Sequence, residues 1–369
     1  MTRIALIISQ LDLGGAEKQL VQLATQLPQW HYHPCVIALR GGEWEKDLRA
    51  RSVETFVLSR NGSLSVRSLL QIVKILLSVK PEIVYGFNYS ASIYGRLAGA
   101  IVGVPILIGR VQSERIPPSR VIYAERLLRR KTDAVISNSF AGKRTWTELF
   151  GYPPEKVAVV QNGFNFEEII QFPEGFRPLR ELIGLSDDEP LVGCIGSMSI
   201  FKNPLMFIDV ATAVIDSGIK AHFVWIGDGP MRQEVERVVA ERHLDGMVHL
   251  LGRQKDACWL ARDFCIGILT SIIEGTPNVI LEYMYCGLPI VATNVGDCSS
   301  LIEHEGTGFI VEKNDAAAMA VCIQKLMHDR STARAMGNRG RERLQKGFSV
   351  EMMITNTVAV CEEVRKRKR

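Results

Sequence analysis

The stretch Ser271-Ile272-Ile273-Glu274-Gly275-Thr276-Pro277-Asn278-Val279-Ile280-Leu281-Glu282 joins two kinds of pattern. Before it, Cys265–Leu269 is a short apolar run of the kind that forms a buried strand. After it, apolar residues continue to Gly287, where a glycine can close a helix. Pro277 suits the first helical turn and Thr276 the N-cap, so strand, loop and helix are predicted in that order. Glu274 then stands in the loop at the helix mouth, and Glu282 lies more than one turn inside. Between them, the N–H groups around Asn278 and Val279 precede the first intrahelical acceptors and form a positive end. Such amides can hold a diphosphate, and a carboxylate inside the helix can accept two hydrogen bonds from a ribose diol. A carboxylate at the mouth can orient sugar hydroxyls. The segment therefore suits a nucleotide sugar; the alternative is that both glutamates are surface charge.

The alternation extends in both directions. Leu191–Ile195, Ala221–Ile226 and Val248–Leu251 precede the segment, and Pro289–Thr293 and Gly308–Val311 follow it. An earlier series comprises Arg3–Ser9, Pro34–Arg40, Glu54–Ser59, Glu82–Phe87, Pro105–Val111, Ala134–Ser139 and Val157–Val160. Short Val, Ile and Leu runs with helical patterns between them predict parallel sheets covered on both faces. Between the series the chain is irregular, with Pro173, Gly175, Pro178, Gly184 and Asp187-Asp188. The expected α/β organisation is a Rossmann-like domain over 1–165, a linker over 166–189, a second Rossmann-like domain over 190–347 and a terminal helix with a basic tail over 348–369. Doubly wound sheets bind ligands beyond the carboxyl ends of their strands, so two of them facing one another would form a cleft for a two-part substrate.

With 369 residues, 47% hydrophobic, the chain can bury two cores. A net charge of +4, from 44 basic and 40 acidic residues, gives no sign of a nucleic-acid partner. The basic residues are unevenly placed: Arg126, Arg129, Arg130 and Lys131 cluster, and Arg365, Lys366, Arg367, Lys368 and Arg369 end the chain. Such runs read either as solvated charge or as peripheral contact with an anionic membrane at the inner face of the plasma membrane. Eight cysteines lie scattered without a Cys-x-x-Cys pair, as expected of reduced thiols in a cytoplasmic protein. The N-terminal MTRIALIIS enters a strand pattern without a signal-peptide cleavage site. Ser90–Gly109 is apolar and about long enough to span a bilayer, but Arg96 and Gly103-Val104-Pro105 divide it into a buried helix and a buried strand.

Three further loops carry candidate chemistry. Gly14-Gly15 follows the first strand and opens the helical pattern Ala16–Leu27; it reads as a close approach to a phosphate or as a plain tight turn. The dinucleotide fingerprint Gly-x-Gly-x-x-Gly is absent. In Gly196-Ser197-Met198-Ser199-Ile200-Phe201-Lys202-Asn203, Lys202 stands near a helix start, where ammonium and backbone N–H groups could meet a diphosphate together. Gly227-Asp228-Gly229-Pro230 closes one strand pattern and opens the next helix. No Ser-His-Asp or Gly-x-Ser-x-Gly arrangement occurs, and no Asp-x-Asp stands at a strand end. A metal-independent reaction without a cofactor is expected.

In order along the chain, these motifs resemble the retaining GT-B glycosyltransferases of glycosyltransferase family 4. The resemblance rests on Gly14-Gly15-Ala16-Glu17, Val160-Gln161-Asn162-Gly163, Lys202, Gly227-Asp228-Gly229-Pro230 and Leu251-Gly252-Arg253. It continues through the Glu-x7-Glu pair Glu274 and Glu282, the run from Glu282 to Thr293, and Gly306-Thr307-Gly308-Phe309, and is strongest from Leu191 to Glu312. It implies a GT-B fold in which the first domain binds the acceptor and the second the nucleotide sugar, with the last helix, about Val350–Val364, returning to the first. Glu282 would hold the ribose and Glu274 the donor sugar. Lys202 would neutralise the leaving diphosphate, helped by amides near Asn278, Val279 and Gly15. Gly14, Gly196, Ser197, Gly227, Arg253, Gly275, Thr276 and Pro277 would complete the donor site. The implied reaction is front-face transfer of a hexose or amino sugar to a glycan or lipid-linked glycan in surface polysaccharide biosynthesis, without a protein nucleophile.

Two departures stand out. Many relatives carry Arg where Ser197 stands, and His where this chain has Tyr85-Gly86-Phe87-Asn88 and Arg110-Val111-Gln112. Asn88 and Arg110 are accordingly the candidate acceptor contacts, Arg110 toward an anionic acceptor. The same departures leave open a non-catalytic nucleotide-sugar-binding protein or scaffold on this fold.

Overall fold

A computed structural model describes residues 1–59, 65–111, 116–166, 175–254 and 257–368. Each of the thirteen apolar runs overlaps a strand. By contacts the chain divides into two compact units, Met1–Gly163 with Val350–Arg369, and Phe164–Ser349.

In the first unit, β1 (Thr2–Ile8), β2 (Tyr32–Arg40), β3 (Glu54–Ser59), β4 (Ile83–Gly86), β5 (Ile106–Val111), β6 (Ala134–Ser137) and β7 (Val157–Val159) form a parallel sheet in the order β3-β2-β1-β4-β5-β6-β7. Helices cover both faces, which is why Ile4–Ile8 are buried without alternation. One face packs beneath the helices Gly15–Gln26 and Val350–Lys368, the other beneath Val66–Val79 and Tyr89–Val102. The terminal helix contributes Met353, Ile354, Cys361 and Val364 to the core, and Tyr32 donates a 2.7 Å hydrogen bond to Glu362. Several of its cations are engaged within the unit: Arg365 lies 3.1 Å from Glu82 and 2.9 Å from Glu362, and Lys368 lies 2.8 Å from Asp133. Arg369 lies outside the described residues.

The Ser90–Gly109 segment resolves into the helix Tyr89–Val102 followed by β5. Among the described residues no helix is long and apolar enough to cross a membrane. Arg96, fully buried, lies 2.5 Å from Glu125, itself fully buried, and donates to Thr132 at 2.9 Å and Tyr152 at 2.8 Å. Such a network tolerates loss of a partner badly, because the survivor is a charge without compensation. Glu125→Ala is expected to lower unfolding free energy by about 3–5 kcal/mol in urea titrations.

In the second unit, β8 (Leu191–Ile195), β9 (His222–Ile226), β10 (Val248–Gly252), β11 (Ile266–Leu269), β12 (Ile290–Thr293) and β13 (Gly308–Val311) form a second parallel sheet, ordered β10-β9-β8-β11-β12-β13. The strand order reverses between β8 and β11, and in the first sheet between β1 and β4; such switch points open crevices at the carboxyl ends of strands. The described part of the expected linker belongs to the second unit: Leu179 in the short helix Leu179–Ile183 is fully buried, and the Arg180 backbone N–H donates to Asp263 at 3.0 Å. Its residues 167–174 lie outside the described residues.

At the amino ends of these strands His222 Nδ1 lies 3.0 Å from His249 Nε2, and His222 Nε2 lies 3.3 Å from Glu189. Burial, and then the neighbouring His222, hold the His249 pKa below its ordinary 6.5. The unfolded chain therefore takes up this proton first on acidification, and stability falls from about pH 6.5 downward until the folded pKa is passed. Thermal melts across this range should show that slope in the native chain and a shallower one in His249→Gln.

Candidate active site

The loop after β8 and the loop after β11 flank the switch point of the second sheet and are bonded to each other. The Thr270 hydroxyl donates to the Lys202 carbonyl at 2.8 Å, and the Ile272 N–H donates to the Phe201 carbonyl at 2.9 Å. The connection holds Lys202 two residues before the helix Pro204–Asp216, where its ammonium pairs with Glu274. The Glu274 carboxylate is mostly buried and also accepts from the Ser271 hydroxyl at 2.7 Å. Beneath it, the Thr293 hydroxyl at the end of β12 donates to the Ser271 carbonyl at 2.6 Å.

The following helix is Asn278–Cys286. Its N-cap is Pro277 rather than Thr276, and no side chain caps it. The proline's fixed φ, here −73°, is compatible with extended backbone at ψ 110°, so helical dihedrals begin one residue later than predicted. Asn278 and Val279 occupy the first two helical positions, and the Ile280 N–H turns back to Pro277 at 3.1 Å. Glu282 is half-buried one turn inside. Beside it, the buried Tyr283 hydroxyl accepts from the Ile195 N–H at 2.9 Å and fixes the helix against β8.

Gly196 and Gly227 meet at the neighbouring strand ends. Gly227 has φ +143°, and a Cβ there would overlap the Gly196 carbonyl oxygen, so this approach requires glycine. That oxygen accepts from the Trp225 indole at 2.8 Å, and the Gly227 N–H donates to Gly252 at 2.8 Å, just before the exposed Arg253. Ser197 is exposed, its hydroxyl 3.1 Å from that of Ser199. Among the described residues no group of three or more His, Cys, Asp or Glu side chains could hold a metal ion.

In the first unit, Gly14 is the N-cap of the helix Gly15–Gln26, in the loop that follows β1. The Glu17 carboxyl folds back over Gly14, and burial holds it above the usual carboxylate range. Asn88 ends the crossing from β4 with φ +61° and ψ 156°, a strained conformation for a residue with a side chain. Arg110, the other expected acceptor contact, is engaged within the unit. Its guanidinium is fully buried, donates to Tyr85 at 3.1 Å and Asn162 at 3.0 Å, and lies 4.8 Å from the Phe87 ring centroid. Both faces of this sheet are covered, so a long side chain on β5 is taken into the interior. Gln112 lies outside the described residues.

Two contributors escaped the sequence reading. Ser271 orients Glu274 directly. Gly296, at φ +55°, lets the loop after β12 press on the Glu274 loop, and the Asp297 N–H donates to the Gly275 carbonyl at 2.9 Å. A glycine followed by aspartate just past an apolar run was the available signal for that turn.

The comparisons with known proteins bear on the fold and the family. The profile of Glycosyltransferase Family 4 matches residues 13–168, and that of the Glycosyl transferases group 1 matches residues 189–329. The chain is 25% identical over 354 residues, 92% of its length and 91% of the relative's, to the UDP-Gal:alpha-D-GlcNAc-diphosphoundecaprenol alpha-1,3-galactosyltransferase of Escherichia coli. It is 26% identical over 376 residues, 99% of each chain, to a PP-undecaprenol alpha-1,4-N-acetyl-D-galactosaminyltransferase of Campylobacter jejuni. Anabaena HepE, crystallised in complex with UDP, superposes with a TM-score of 0.85 at 21% identity, covering 98% of this chain and all of that one. Two doubly wound sheets, a lysine–glutamate pair at the second switch point and profiles matched across both halves lead to one assignment: the chain is a glycosyltransferase with the GT-B fold and belongs to glycosyltransferase family 4.

Proposed function

We propose that this chain transfers a hexose or amino sugar from a nucleoside diphosphate sugar to a glycan or lipid-linked glycan in surface polysaccharide biosynthesis, with retention at the anomeric carbon and without a metal. The observation carrying this reading is the Lys202–Glu274 pair at the switch point, beside the start of the helix Asn278–Cys286. A nucleoside diphosphate laid along this edge would place ribose hydroxyls on Glu282 and its phosphates between Lys202 and the amides of Asn278 and Val279. Glu274 would then receive sugar hydroxyls. The loops bearing Gly196, Ser197, Gly227, Arg253, Gly275, Thr276 and Pro277 would complete the donor site; Gly14 and Gly15 are proposed as donor contacts too. Asn88 is the proposed acceptor contact.

In the transfer, the bond from the anomeric carbon to the phosphate oxygen breaks as the acceptor oxygen approaches from the same face. The departing phosphate oxygen takes the acceptor proton. The growing phosphate charge is what the protein must stabilise, and a fixed ammonium with helix-start amides does so without reorganisation. This supplies the positive charge that a divalent cation would otherwise provide. Support for a lipid-linked acceptor comes from the two undecaprenol-directed relatives, and support for a uridine nucleotide from the UDP bound by HepE. A cytoplasmic location with peripheral contact at an anionic membrane belongs to the same reading.

Incubation with UDP-, GDP- and ADP-sugars tests it: one donor should be cleaved or transferred, and Glu274→Ala should abolish that turnover. Nucleotide binding without turnover in any acceptor screen would instead favour a binding protein. Glu282→Ala should raise the donor KM about a hundredfold with little change in kcat, because two charge-assisted hydrogen bonds to an unreacting part of the donor are lost.

A further inference from the structure

The turn that follows β6 is closed apart from one side chain. From Ala134 to Gly142 every residue is buried except Phe140, which is 51% exposed. Hydrogen bonds make this turn rigid. Ser137 Oγ donates to the Ser139 carbonyl at 2.8 Å and accepts from the Ser139 N–H at 3.3 Å. Ser139 Oγ accepts from the Gly142 N–H at 2.9 Å and caps the helix Phe140–Arg144. A Cβ on Gly142 would overlap Ser137 Oγ, so the helix start is pressed onto the strand end. Phe140 is the first residue of that helix, and this backbone fixes where its ring emerges.

A single exposed phenyl ring is ordinary by itself; its position is what counts. β4 and β6 are the two neighbours of β5, so their ends stand about 10 Å apart. Gly86 pairs with Gly109 and Gly109 with Val135, which brings Asn88, two residues beyond Gly86, about level with the end of β6. Asn88 is half-buried at φ +61°, a conformation that costs any residue with a side chain and is retained mostly at ligand sites. Its side chain does not cap the helix Tyr89–Val102 that follows. On the strand between them Arg110 is turned inside and fully buried. Asn88 and Phe140 thus flank the strand from which the expected cationic contact is withdrawn.

We propose that Phe140 is the stacking platform of an acceptor sugar subsite: one pyranose ring of the acceptor lies with a C–H face on the phenyl ring, and Asn88 exchanges hydrogen bonds with its hydroxyls. The C–H groups of a pyranose face are weakly positive and suit the negative face of an aromatic ring. A side-chain amide offers both a donor and an acceptor to neighbouring hydroxyls. An aromatic surface with a few polar groups, at the carboxyl ends of parallel strands, has the composition and place of a small-ligand site. The inference rests on the glycan acceptor proposed above and names what the first unit reads in it, a sugar ring rather than a charge.

Saturation-transfer NMR of the full chain with the methyl glycosides of glucose, galactose, N-acetylglucosamine and N-acetylgalactosamine tests this, together with transfer to the same glycosides from the donor that the screen selects. At least one glycoside should bind, with saturation strongest on the C–H protons of one ring face. Phe140→Ala should weaken that binding and raise the acceptor KM about tenfold, and the donor KM should not follow. Phe140→Tyr should keep native affinity. Phe140→Leu should not, because it retains an apolar side chain and removes the aromatic face. Asn88→Gly, which suits the backbone and removes only the side chain, should weaken the same glycoside. The subsite is overturned if the native chain binds none of the four glycosides, if Phe140→Ala binds them undiminished, or if leucine serves as well as tyrosine. It is equally overturned if the native chain is a dimer that Phe140→Ala dissociates, since a second copy then covers the ring. Failure of the transferase reading shows separately, as glycoside binding that depends on Phe140 without turnover of any donor.

Discussion

Lys202→Ala is expected to lower kcat for donor cleavage by about two to three orders of magnitude, the usual cost of removing one preorganised group that stabilises developing charge. The donor KM should change much less, because the phosphate is more negative in the transition state than in the bound donor. The geometry makes this lysine hard to replace. Its backbone carbonyl is bonded by Thr270, its ammonium is paired with Glu274, and its stem runs past Gly196, whose site a Cβ would share at 3.6 Å. Lys202→Arg should therefore restore only part of the rate, since a planar fork cannot take the place of a compact ammonium here. Ser197 carries no charge that could compensate. Rapid-quench measurements of the cleaved sugar, compared with nucleotide affinity by calorimetry, separate the two effects; unchanged kcat in Lys202→Ala would remove it from the catalytic assignment.

The second large effect is expected at a residue that touches no substrate. Gly296→Ala places a Cβ 2.8 Å from the Glu274 carbonyl carbon and against the Gly275 carbonyl oxygen, at a φ of +55° that also disfavours a side chain. Something must move, and the nearest movable element is the loop holding Glu274. Displacing a positioning group by about 1 Å costs on the order of a hundredfold in rate. Because the clash is local, the urea midpoint should fall modestly while kcat falls about a hundredfold. A variant that loses activity only in proportion to its folded fraction would show that the contact serves stability alone.

Much of the fold was legible because parallel sheets covered on both faces write themselves as continuous apolar runs. Leu191–Ile195 and Pro289–Thr293 are examples, and no long-range information was needed to find them. The placement of Glu274 in a loop and Glu282 within a helix was legible for a related reason: a proline and a glycine bracket that helix in the chain. The cap was misplaced by one residue because Thr276 has the right chemistry, and only backbone geometry shows that Pro277 takes the position. The burial of Arg110 was not legible, because an arginine in a strand gives no sign of being covered until the covering helices are known. The Arg96–Glu125 pair and the Gly296 contact join segments 29 and about 20 residues apart, which local pattern cannot relate. The two-residue pairing of Lys202 with Glu274 was likewise visible only after β8 and β11 proved to be neighbours.

The central claim is that one edge of the second unit divides the donor between Glu282, for the nucleoside, and Lys202, for the diphosphate. Calorimetric titration of the nucleoside diphosphate chosen by the donor screen, and of its parent nucleoside, into the native chain, Glu282→Ala and Lys202→Ala measures this division directly. The account predicts that Glu282→Ala weakens both ligands by the same factor, while Lys202→Ala weakens the diphosphate and leaves the nucleoside unchanged. Equal weakening of both ligands by Lys202→Ala, or native affinity for both in Glu282→Ala, would contradict it.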